Sequence, residues 1–150
     1  MNAPKNILVP VDFSETSERA LAYARVFAQP LDATFHLLHV ILDANWQPWS
    51  MDTSGVDVRQ LMGTWEAQVQ ERLTKLRPDK RTVVVTKVGH PFLEIIRYAK
   101  AHDIDLIVMG THGRGAIEHM LLGSVAEKVV RKAPCPVLTV RHPEHRFQRP

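Results

Sequence analysis

The chain has a single cysteine in 150 residues, Cys135, which excludes an internal disulfide. Set between two prolines at the head of an apolar run, Cys135 reads as a small buried hydrophobe rather than a redox group. Long hydrophobic runs are missing too, and none approaches the roughly 20 residues that a membrane span needs. The N-terminus reaches Asp12 before a signal-peptide core could form, which reads as a cytoplasmic protein without a membrane partner. Charge of one sign is scarce: 19 basic and 16 acidic residues leave a net charge of +3, too weak to argue for nucleic acid. Part of that excess sits in the tail from Arg141 to Pro150. With no repeat, linker or low-complexity segment, a 45% hydrophobic and 23% charged composition suits one globular domain over residues 1–150. Its structured part is expected at about 4–141, with a basic tail at 142–150.

What is present is an alternation of strand and helix patterns. The apolar runs Ile7–Val11, Phe35–Ile41, Val83–Val88, Asp105–Met109 and Pro136–Arg141 predict five strands, with Pro10 confined to the end of the first because it lacks a ladder donor. Ser14 or Thr16 can cap the first helix, which has Glu15 and Glu18 in its first turn and a stripe of Leu21, Ala24, Phe27, Ala28 and Leu31, and which must be ending at Pro30. Val58, Leu61, Met62, Trp65, Val69, Leu73 and Leu76 recur at helical spacing and predict a long amphipathic helix, closed by Pro78, whose Met and Trp stripe reads as core. Gly89-His-Pro turns into a third helix carrying Phe92, Ile95, Ile96 and Ala99, with Pro91 in its first turn. Strands alternating with helices imply right-handed crossovers and an α/β fold, a parallel sheet covered on both faces. The segment from Leu42 to Ser54 loses periodicity and reads as a loop. Trp46 and Trp49 within it either fold back on the domain or form a lid or partner patch.

The stretch from Leu106 to Val125 carries the chemistry. An apolar strand stops at Gly110, where a backbone without a side chain can turn sharply; Gly113, Gly115 and Gly123 follow, and Ser124 is placed to cap a helix reaching about Lys132. Strand, glycine loop and helix start in that order suit an anion, because the first amides of a helix are unpaired and carry the positive end of its dipole. No Gly-Lys-Ser/Thr follows, so this is not a Walker A loop, and it is not Gly-x-Gly-x-x-Gly. His112 and Arg114 lie inside the loop: Arg114 could assist a phosphate, and His112 reads as a solvent-facing turn residue. His36 and His39, three apart on a strand, face opposite sides and cannot form a simple metal pair, so no zinc site is expected.

Gly110-x2-Gly113-x9-Gly123-Ser124, together with Ile7-Leu-Val-Pro-Val-Asp-Phe-Ser, Leu37-Leu-His-Val, Gly89-His-Pro and Ala133-Pro-Cys-Pro-Val-Leu, resembles the ATP-binding subgroup of the universal stress protein (UspA-like) family. The resemblance covers nearly the whole chain and is weakest between about Leu42 and Arg81. It implies a three-layer α/β/α domain of Rossmann-like, adenine nucleotide alpha hydrolase-like type, with a five-stranded parallel sheet of order 3-2-1-4-5. Ligands in such sheets lie beyond the carboxyl ends of the strands where the winding reverses, here between the first and fourth. The resemblance further implies that Pro10, Val11 and the Val40 backbone shape the adenosine side. Met109, Gly110, Gly113 and Arg114 would line the ribose and phosphates, and Gly123, Ser124 and Val125 would give phosphate contacts. Asp12 would help hold Mg²⁺ through the phosphates, its alternative being a bond to the backbone of its own turn or a cap on the first helix. Where relatives turn with glycine before the second strand, this chain has Asp32, which tolerates the left-handed region.

The resulting expectation is a stress-response protein that binds ATP, or ADP or AMP, with Mg²⁺, and uses occupancy to alter partner binding or assembly. The loop comes without paired carboxylates, a nucleophile beside a base, or a cradle lysine. A slow ATPase or phosphoryl or nucleotidyl transferase, and a nucleotide-free dimeric interaction module, are the alternatives. A homodimer through the last strand is expected, or a tetramer.

Overall fold

In the computed structural model, which describes residues 3–28, 31–42, 58–77, 81–111 and 122–141, strands and helices alternate along the chain. They are β1 (Asn6–Pro10), α1 (Glu15–Ala28), β2 (Thr34–Ile41), α2 (Val58–Leu76), β3 (Val83–Val88), α3 (Pro91–Ala101), β4 (Leu106–Gly110), α4 (Ser124–Lys132) and β5 (Val137–Val140). All pairings are parallel and the strand order is β3-β2-β1-β4-β5, as the resemblance implied. Pro10 ends β1, where no ladder N–H is required, and Pro91 is the first residue of α3.

Alternation along each strand divides the core into two layers. Ile7, Val9, Phe35, Leu37 and Val108 face Leu21, Ala24 and Ala28 of α1 and Leu73 of α2. Leu8, Leu38, Ile107 and Met109 face Ile95, Tyr98 and Ala99 of α3 and Ala126 and Val129 of α4. At the amino end of the sheet the Asp105 carboxylate accepts the Lys5 and Asn6 amides at 2.8 and 2.9 Å, tying β4 to β1 and holding that carboxyl below its usual range. Asp32 takes φ 51°, so an aspartate does occupy the left-handed turn before β2.

The core reading of the α2 stripe holds only in part. Leu73 is fully buried and Val69 and Leu76 pack against the core, but Trp65 is 56% exposed. Among the described side chains it is the carboxyl-terminal half of α2, with Val69, Leu73 and Leu76, that packs on the core, and Trp65 precedes it. The side chains of residues 58–62 and of Phe27, and the whole of Trp46, Trp49 and the tail 142–150, lie outside the described residues.

Candidate functional site

The carboxyl ends of β1 and β4 lie side by side at the point where the winding reverses: Leu8 pairs with Ile107, and continuing that register sets Pro10 beside Met109. Beyond Pro10 the chain bends through Val11 and Asp12 into α1. Asp12 Oδ1 accepts the Ser14 amide at 3.0 Å and the Ser14 hydroxyl at 2.5 Å. Ser14 in turn caps α1: its Oγ accepts the Ser17 amide at 3.3 Å and its carbonyl the Glu18 amide at 3.1 Å. Half-buried Asp12 thus bonds its own turn, and the cap on α1 belongs to Ser14 rather than to Asp12.

On the other side of the crest, Thr111 is buried and forms a clamp. Its amide donates to the Val140 carbonyl at 2.9 Å, and its carbonyl accepts the Gly123 amide at 2.7 Å. The second bond brings the start of α4 back to the end of β4. Gly123, not Ser124, is the residue before the helix, and Ser124 is its exposed first residue. The first helical bond runs from the Glu127 amide to the Gly123 carbonyl, which leaves the amides of Ser124, Val125 and Ala126 without an intrahelical acceptor. Three donors and a positive dipole end thus sit beside the switch point.

Gly110 owes its lack of a side chain to packing rather than to a turn. Its φ is not positive, and a Cβ placed there would come within 2.9 Å of the Thr16 carbonyl carbon and Cβ. The start of α1 therefore lies directly on the end of β4. Of the other expected residues, Val11 and Met109 are buried in opposite core layers and offer only backbone to a ligand, while Val40 and Val125 pack against the α3 and α4 layer. Continuing the pairing of Pro10 with Leu38 sets Val40 level with Asp12. Gly113 and Arg114, with His112, lie outside the described residues.

His36 and His39 do face opposite layers, His36 meeting Tyr98 of α3 and His39 meeting Val11 and Phe13. Among the described residues no cluster of three or more His, Cys, Asp or Glu could hold a metal ion, and no helix is long and apolar enough to cross a membrane. Burial, and secondarily the Asp105 charge, push the Cys135 thiol up against the opposing bond from the Ile107 backbone, which disfavours the reactive thiolate. Sequence reasoning weighed Thr16 only as a helix cap and overlooked Thr111; the contacts that give both their roles lie between elements and have no local signature.

Residues 4–141 match the model of the Universal stress protein family. The chain belongs to that family. Universal stress protein MJ0531 of Methanocaldococcus jannaschii is 32% identical over 145 residues, covering 95% of this chain and 85% of that protein. Universal stress protein MJ0577 of the same organism is 31% identical, covering 91% and 94%. The solved structure of MJ0577 superposes with a TM-score of 0.80 at 30% identity, covering 93% of this chain and 97% of that one. A universal stress protein solved in complex with cAMP superposes with a TM-score of 0.66 at 26% identity, covering 93% and 98%.

Proposed function

We propose that this chain binds an adenine nucleotide, ATP with Mg²⁺ in the first instance, across the carboxyl ends of β1 and β4, and that occupancy changes its affinity for a partner or its assembly. The observation that carries this reading is the return of α4 to Thr111, which sets three amides without an intrahelical acceptor at the carboxyl end of β4, the neighbour of the strand that leads into Asp12. The cAMP-bound relative supports the ligand class. In this reading Pro10, Val11 and the Val40 backbone border the adenosine. Met109, Gly110, Gly113 and Arg114 line the ribose and phosphates, and Gly123, Ser124 and Val125 hold the phosphates. Asp12 fits a hard cation: a carboxylate has about four acceptor sites, and the two bonds to Ser14 use one oxygen. The cation would screen the phosphates where the helix amides do not reach.

Each helix-start contact contributes about 0.3–1 kcal/mol, and micromolar binding requires about 8 kcal/mol, so many contacts must act together. Calorimetric titration with ATP and Mg²⁺ should give saturable heat below millimolar nucleotide, and Asp12→Ala should weaken it about tenfold, or about 1.4 kcal/mol. No saturable heat from the wild type would end this reading. Occupancy can shift an equilibrium only as far as nucleotide prefers one state, so the same titration followed by light scattering reports any effect on assembly.

We also propose a homodimer through β5, an edge strand whose Leu138 is partly exposed. Light scattering should report about twice the 17.0 kDa chain mass, and Leu138→Lys should return the single-chain value. A 17.0 kDa particle in the wild type at all concentrations would refute it.

A further inference from the structure

The bend that carries Asp12 is gripped from a distant helix. Phe13, immediately after Asp12, takes φ 61°, a left-handed backbone conformation that a bulky residue adopts at a cost and keeps only when its surroundings enforce it. Those surroundings form a column. The Arg72 guanidinium of α2 lies 4.0 Å from the centroid of the Phe13 ring, and the His39 ring of β2 lies 4.8 Å from that centroid at 35°. Nδ1 of His39 is 2.6 Å from the Val11 carbonyl oxygen; because a carbonyl can only accept, that nitrogen is the protonated one. Asp12 therefore sits between two neighbours that are each held, Val11 by a hydrogen bond to β2 and Phe13 by a cation and an imidazole from two different elements.

We propose that Arg72, Phe13 and His39 are positioning residues that fix the direction of the Asp12 carboxylate, so that the metal-dependent part of nucleotide affinity depends on α2. This rests on the reading of Asp12 as the carboxylate facing Mg²⁺. None of the three touches the ligand in this account; they act by holding the backbone on either side of Asp12. Arg72 is exposed on α2, so whatever displaces α2 alters the grip on Phe13.

The test compares ATP affinity in Mg²⁺ with ATP affinity in EDTA for the full chain, because a positioning effect on the metal carboxylate moves the first and spares the second. Phe13→Gly keeps a residue at ease with φ 61° but removes the ring, and Arg72→Met keeps the stem but removes the cation. Both should lose most of the Mg²⁺-dependent gain, about fivefold or more, with EDTA affinities within twofold of wild type. Phe13→Tyr and Arg72→Lys should restore it. His39→Phe, which retains a ring and deletes the donor to Val11, should fall between. Arg72→Met alters an exposed side chain and keeps the test open should Phe13→Gly fold poorly. If Asp12→Ala abolishes the Mg²⁺ gain while Phe13→Gly and Arg72→Met keep it, the column has no such role and the nucleotide reading stands. Parallel losses in Mg²⁺ and EDTA would also overturn positioning, and a wild type without binding in either condition overturns both.

Discussion

Gly110→Ala should lower the unfolding midpoint by roughly 6–12 °C, the shift expected for a loss of about 3 kcal/mol in a chain of this size. Overpacking usually costs about 1–3 kcal/mol because side chains can rotate away; here two of the three nearest atoms are Thr16 backbone, at 2.9 and 3.0 Å, and cannot. Relief requires the first turn of α1 to lift from β4. That turn contains the Ser14 cap and the bonds to Asp12, so the same substitution should also weaken nucleotide binding. Thr16→Gly removes only the Cβ contact and should rescue the variant incompletely. Thermal melts of the three variants decide it. Were Gly110 required for ligand approach alone, Gly110→Ala would keep the wild-type midpoint and lose only affinity.

Acidification should destabilise the fold through His36. The ring is 8% exposed, its Nδ1 shares a 2.9 Å hydrogen bond with the Tyr98 hydroxyl, and Tyr98 stacks on His102 at 3.8 Å. Burial, and secondarily a charge on His102, hold the His36 pKa below its ordinary value of 6.5. A base with a depressed folded pKa binds fewer protons than the same base in the unfolded chain. Stability is therefore intact above the unfolded value of 6.5 and is lost as pH falls from there through the lower folded value. Urea midpoints should drop between about pH 7.5 and 5.5. His36→Phe should flatten part of that slope, and an unchanged slope would remove His36 from the account. Tyr98→Phe should cost about 1–3 kcal/mol at pH 7.5, because it strips a buried ring nitrogen of its partner.

How much of this was visible in the residues varies with the kind of force involved. Periodicity and punctuation located the five strands and four helices, since Pro10, Pro78, Pro91 and Gly89 act on the local backbone. Strand order is a property of crossovers, which composition does not encode, and it came from the resemblance. Asp32 could be anticipated because its conformational tolerance belongs to the residue itself. Trp65 could not be assigned correctly, because burial depends on which part of the helix packs against the sheet. Gly110 was singled out for the wrong physical reason: the atoms that demand its small size come from Thr16, on another element. Phe13 in a left-handed conformation had no local warning at all, for its enforcers lie on β2 and α2.

The bond between the Gly123 amide and the Thr111 carbonyl has a consequence for how such a chain can diversify. Because departure and re-entry points are pinned to each other, the entropy of closing the intervening span depends only weakly on its length. Changing the number of residues between the anchors would then cost the fold little, while Gly113 and Arg114 would still be held to their identity by the proposed phosphate site. The fold behaves there as a socket with fixed terminals, into which different inserts can be fitted.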